Sequence, residues 1–110
     1  MKLHTLRSDG LTVQVSEHGA EMQSIQTRQG LELLWQGDPA FWARRAPNLF
    51  PIVGRLKNDT LRHQGQSYTL PQHGFARDLA FQCESSSVHH CTLLLKDNEQ
   101  TRKSYPFAFE

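Results

Sequence analysis

An excess of charge of either sign is missing from this sequence. Its 110 residues carry 12 Lys and Arg against 11 Asp and Glu. No strong field therefore draws it to nucleic acid or to an anionic membrane surface. No apolar run approaches the ~20 residues of a membrane-spanning helix. The first residues, Met1-Lys2-Leu3-His4-Thr5, lack a signal-peptide core, so a cytoplasmic location is expected. Cysteine is scarce, at Cys83 and Cys91 alone. Both fall on predicted strands, and without an export signal they are expected as two reduced, half-buried thiols rather than a disulfide. A metal site drawn from Cys83, His89, His90 and Cys91 fits no zinc spacing, so no metal is expected. Repeats, low-complexity segments and linkers are missing too. The length supports a single domain, residues 1–110, burying roughly two-thirds of its unfolded surface.

What is present is a succession of short strands. Residues 3–6 and 11–15 flank Asp9-Gly10, a hairpin signal because both turn positions tolerate positive φ. Leu11, Val13 and Val15 alternate with Thr12, Gln14 and Ser16, which gives one buried face and one wet face. Residues 20–27 read as a third strand anchored by Met22 and Ile25, and residues 31–35 as a fourth. Asp38 as N-cap and Pro39 at the first helical position predict a helical turn over 40–43. Trp35, Phe41 and Trp42 are expected in the core in preference to a sugar-stacking platform. Arg44 and Arg45 read as a solvated edge. Residues 61–63 and 67–70 form a hairpin around Gln64-Gly65-Gln66. Leu79, Phe81 and Cys83 mark a half-buried strand, residues 85–87 a turn, and residues 88–96 the returning strand. Residues 98–103 predict a short helix with an N-cap, stopped before Pro106. Phe107-Ala108-Phe109 begins a strand whose edge is open unless a partner covers it. The fold class is all-β, mainly antiparallel, with one or two short helical turns: a sheet or sandwich, or part of one.

Two loops carry the chemistry. The first runs Pro47-Asn48-Leu49-Phe50-Pro51-Ile52-Val53-Gly54-Arg55, where a glycine lets the chain turn so that a guanidinium leaves an apolar surface. The second is Gln72-His73-Gly74-Phe75-Ala76-Arg77-Asp78. The hairpin over 60–70 returns the chain to its starting point. Two readings stand side by side: Arg55 and His73 face one site, or Arg55 is a surface charge and His73 a loop residue.

Five segments, in order, carry a resemblance. They are Gly19-Ala20-Glu21-Met22-Gln23-Ser24-Ile25, Leu33-Leu34-Trp35-Gln36-Gly37-Asp38-Pro39, Phe50-Pro51-Ile52-Val53-Gly54-Arg55-Leu56, Gln72-His73-Gly74-Phe75-Ala76-Arg77 and Asp97-Asn98-Glu99-Gln100-Thr101-Arg102-Lys103. Together they resemble the aldose 1-epimerase (galactose mutarotase) family in its LacX-like bacterial branch. The resemblance covers nearly the whole chain, but members are more than twice as long, so it implies an N-terminal portion.

The implied fold is part of a large antiparallel β-supersandwich. The implied reaction interconverts α and β anomers of a hexose by acid/base ring opening, with neither metal nor organic cofactor. Arg55 would hydrogen-bond sugar oxygens, since a fixed fork of donors suits adjacent hydroxyls. His73 would be a catalytic and substrate-binding group near the ring oxygen. The family's principal acid, a second histidine, and its base, a glutamate, have no counterpart here. His4, His18, His63, His89 and His90 lack the matching neighbours and read as structural or exposed. Arg77 resembles the phosphate-binding arginine of the hexose-6-phosphate mutarotase branch, or else orients its loop. The alternatives are a carbohydrate-binding module without turnover, and a non-functional truncated product that associates through open strand edges.

Overall fold

A computed structural model describes residues 2–110, and Met1 lies outside them. The described residues form seven short strands, two 3-10 turns (Lys57–Asp59 and Ala76–Asp78) and one four-residue helix. The first three strands, β1 (Leu3–Arg7), β2 (Leu11–Ser16) and β3 (Met22–Thr27), make an antiparallel sheet in the order β1-β2-β3. The register sets Val13 opposite Leu6 and Val15 opposite His4, but the expected alternation is not kept: Leu11 is 40% exposed, whereas Ser16, expected on the wet face, is fully enclosed. The β1–β2 hairpin forms where Asp9-Gly10 predicts it, yet neither residue has a positive φ. The two-residue loop closes on a Ser8 N–H to Leu11 carbonyl bond of 3.0 Å.

The expected strand over 20–27 starts late. Gly19 and Ala20 both have positive φ, so the chain turns before Met22. A Cβ on Gly19 would lie 2.6 Å from the Arg77 carbonyl oxygen, which explains the glycine. The expected fourth strand over 31–35 is absent: only Glu32 forms a bridge, with Gln26. The pairing is partial, with Thr27 N–H donating to the Leu31 carbonyl at 3.0 Å and Leu33 N–H to the Ile25 carbonyl at 2.7 Å, and the Glu32 carboxylate adds to it. It accepts from the Ile25 N–H at 2.8 Å, the Leu34 N–H at 3.1 Å and the Ser24 hydroxyl. These bonds hold its carboxyl below the usual carboxylate range, the Ser24 hydroxyl contributing most.

The second hairpin pairs β4 (Thr60–His63) with β5 (Gln66–Thr69), as the sequence predicts. The third pairs β6 (Gln82–Ser86) with β7 (Cys91–Leu94), shifted by a bulge between Cys83 and Ser85. Strand β6 thus runs into the expected turn at 85–87. The first sheet is stitched to β6 through backbone: Phe81 N–H to the Glu17 carbonyl at 2.8 Å and Gly19 N–H to the Leu79 carbonyl at 2.7 Å.

Helix α1 (Glu99–Arg102) follows Asn98, whose side chain accepts from the Thr101 N–H while the Thr101 side chain accepts from the Asn98 N–H. This reciprocal cap satisfies two of the donors that a helix start leaves unpaired. The expected strand at 107–109 does not form. Its rings stack instead: Phe109 lies 5.0 Å from Phe50 and Phe107 lies 4.8 Å from Tyr105, between centroids.

The fully enclosed core is small, with Leu70, Ser16, Ala76 and Thr101 nearly sealed. Trp35, Phe41 and Trp42, expected in that core, are instead 42%, 81% and 50% exposed. They pack on each other, Trp35 edge-on to Phe41 and its indole N–H donating to the Trp42 carbonyl. Among the described residues, no helix is long and apolar enough to cross a membrane.

Candidate functional site

The hairpin β4–β5 brings the loop after Phe50 and the loop after Leu70 together. Leu70 donates to the Asp59 carbonyl at 2.8 Å, closing the hairpin's base. Beyond it the two loops run side by side, with a parallel bridge between Phe50 and Gly74. Phe75 and Ala76 both donate to the Phe50 carbonyl, at 2.9 and 3.2 Å. A Cβ at Gly74 would collide with that carbonyl and with Pro51, and its φ of 73° is left-handed, so glycine is required.

His73 is clamped to the residue before Arg55. Its N–H donates to the Gly54 carbonyl at 2.8 Å, and its ring Nδ1 accepts from the Gly54 N–H at 2.8 Å. Accepting that bond occupies the Nδ1 lone pair, so the neutral ring carries its proton on Nε2. That leaves an Nε2–H donor from which, among the described residues, nothing accepts. His73 holds a φ of 63°, a conformation that a bulky non-glycine residue adopts only when its surroundings impose it.

Arg55 is the neighbour of that clamp, and its side chain is 63% exposed. It does not reach free into solvent. Its Nε lies 3.2 Å from Asp59 Oδ1, four residues on, at ion-pair distance but without the alignment of a hydrogen bond. Sequence reasoning missed Asp59, although the i,i+4 spacing was visible. Arg77 turns back on its own loop. It donates to the Gln72 carbonyl at 3.2 Å and places Nε 4.0 Å from Asp78 Oδ2. Asp78 is held from the other side by Arg44 at 3.0 Å.

The remaining expected groups lie elsewhere. His89 bonds the Arg7 carbonyl and His90 the Ser87 hydroxyl, so these two do not converge with Cys83 and Cys91 on a metal. Both cysteines are free and half-buried, as expected. Arg45, expected on a solvated edge, instead donates to the Gln23 carbonyl and the Gln36 side chain at 2.7 and 2.8 Å.

The clamp fixes His73 to the residue preceding Arg55, so the backbones carrying these two side chains adjoin. Comparison with known families matches residues 2–110 to the aldose 1-epimerase family. The chain belongs to the aldose 1-epimerase family. Among curated relatives, protein LacX of Lactococcus lactis subsp. lactis is 37% identical, over 96% of this chain and 37% of its own length. A galactose mutarotase related enzyme from Lactobacillus acidophilus matches in structure with a TM-score of 0.95 at 48% identity, over 97% of this chain and 36% of its own. A galactose mutarotase-like protein from Lactobacillus casei gives 0.92 at 35% identity, over 97% and 37%. The chain therefore spans little more than a third of the relatives it matches, and the fold of this family member is the mutarotase-like one.

Proposed function

We propose that this chain, folded as a single domain, supplies the sugar-holding part of a mutarotase-type site. Arg55 and the Nε2–H of His73 hold oxygens of a hexose, and His73 donates toward the ring oxygen as the ring opens. The observation that supports this reading is the two-bond clamp between His73 and Gly54, the residue that precedes Arg55. His73 Nδ1 is already occupied, so His73 is suited to donate and not to remove the anomeric proton. The base and the principal acid lie outside residues 1–110. Each such group contributes about 100- to 10,000-fold, so the chain alone binds sugar with little turnover.

The test pairs two measurements on the 110-residue chain. Nuclear magnetic resonance titration with galactose and glucose should shift the His73 and Arg55 signals. Magnetisation exchange between anomers should stay near the uncatalysed rate. Strong, His73-dependent exchange would overturn the missing-acid reading, and sugar binding that survives His73→Ala with Arg55→Ala would overturn the site. A phosphorylated hexose is the second reading, carried by Arg77 in the adjoining loop. Its guanidinium is only 19% exposed and already donates to the Gln72 carbonyl, so the free sugar is the better fit. Equal affinity for a hexose and its 6-phosphate is the expected result.

A further inference from the structure

We propose that His4, Glu17 and Cys83 form a structural site for a borderline-soft divalent cation, with zinc the best fit. The three come from different elements, His4 in β1, Glu17 just past β2 and Cys83 in β6, yet their ligand atoms all lie within 4.8 Å of one another. His4 Nε2 and Glu17 Oε2 are 2.7 Å apart, with side chains only 11% and 19% exposed. One imidazole nitrogen, one carboxylate oxygen and one sulfur are a zinc donor set, and the sulfur disfavours calcium and magnesium. Tetrahedral bonds of ~2.0–2.3 Å put such ligands ~3.3–3.6 Å apart. The His4–Glu17 pair therefore opens slightly, the sulfur moves inward, and water fills the fourth position.

The frame holding these ligands exists without the metal. Glu17 donates its N–H to the Lys2 carbonyl at 3.0 Å and accepts from the Phe81 N–H at 2.8 Å, while His4 pairs with Val15. Metal binding therefore orders little new backbone. Lys2 Nζ, 3.9 Å from Glu17 Oε2 and on a side chain 72% exposed, swings into water as the cation enters. Cys83 gives up its thiol proton to solvent as the sulfur–metal bond forms. Cys91 lies diagonally across the β6–β7 pair, since Leu93 is opposite Cys83. The site uses no residue of the sugar-holding loops and staples the first sheet to the β6–β7 hairpin.

Cobalt(II) is the probe. Titrating the reduced chain should produce thiolate-to-cobalt charge-transfer absorption in the near ultraviolet, abolished by one equivalent of zinc. Cys83→Ser should abolish the band, His4→Ala should weaken cobalt binding at least tenfold, and Cys91→Ser should leave both unchanged. Alkylation of the unsubstituted chain, mapped by mass spectrometry, guards against a variant that fails to fold. Zinc should slow Cys83 modification at least tenfold and leave Cys91 unprotected. No charge-transfer band, a band that follows Cys91, or Cys83 alkylation unaffected by zinc would each overturn the proposal.

Discussion

At the residue scale, His73 combines a left-handed backbone with a ring whose two nitrogens have separate duties. One nitrogen accepts the Gly54 N–H, which leaves the other as the donor. Replacing His73 by Ala leaves the Gly54 N–H without its acceptor and removes that donor. Sugar affinity should fall about tenfold, and stability by about 1 kcal/mol, read from a urea midpoint. Gly74→Ala should cost more, about 2 kcal/mol or above, because a left-handed φ and a collision with the Phe50 carbonyl add together. A Gly74→Ala chain with an unmoved midpoint would contradict this packing. Much of this was legible: the prolyl and glycyl punctuation around a predicted hairpin placed Arg55 and His73 on adjoining loops. The pairing of Nδ1 with a backbone N–H was not legible, because it depends on a backbone geometry that no residue type announces.

At the element scale, hairpins read well and unpaired segments read poorly. The β4–β5 hairpin and the cap of α1 follow from local turn and capping chemistry, which sequence displays directly. Asn98→Ala should cost about 1 kcal/mol, measured by denaturant unfolding, because the four-residue helix loses its reciprocal cap. The strands expected over 31–35 and 107–109 fail for one shared reason. Alternation shows that side chains segregate, not what satisfies the backbone. Glu32 supplies acceptors by side chain in the first case. In the second, tilted ring contacts and a two-bond exchange with Asp97, whose N–H donates to the Phe109 carbonyl and whose carboxylate accepts from the Phe109 N–H, stand in place of a strand pairing. Glu32 and Asp97 both titrate low in the folded chain, Asp97 chiefly through that Phe109 bond. A lowered folded pKa gives stability that is present above the ordinary carboxylate range, about pH 4, and lost as pH falls through the folded value. The unfolding midpoint should therefore drop on acidification below about pH 4, and Glu32→Gln should flatten that slope. An identical slope in the variant would count against the role assigned to Glu32.

At the scale of the whole molecule, the chain is extended, 56 × 35 × 19 Å with a radius of gyration of 16.5 Å, against about 13 Å for a compact chain of this length. Leu31, Leu33, Phe41, Val53 and Val88 are each more than half exposed. So much apolar surface on a small core invites association. Sedimentation velocity should show self-association that grows with concentration and weakens in Phe41→Ser, and a single monomeric species at every concentration would contradict this. The misplacement of Trp35, Phe41 and Trp42 belongs to this scale too. Hydrophobicity marks a residue as wanting cover and is silent on whether the same chain provides it. One contact ties the distant parts of the molecule together: the bend at Gly19 presses against the carbonyl of Arg77, at the end of the loop that bears His73. A single added methyl there has no room to settle locally. A substitution at position 19 would then be felt at the far end of the loop that bears His73, and the corner of a sheet becomes a lever on that loop.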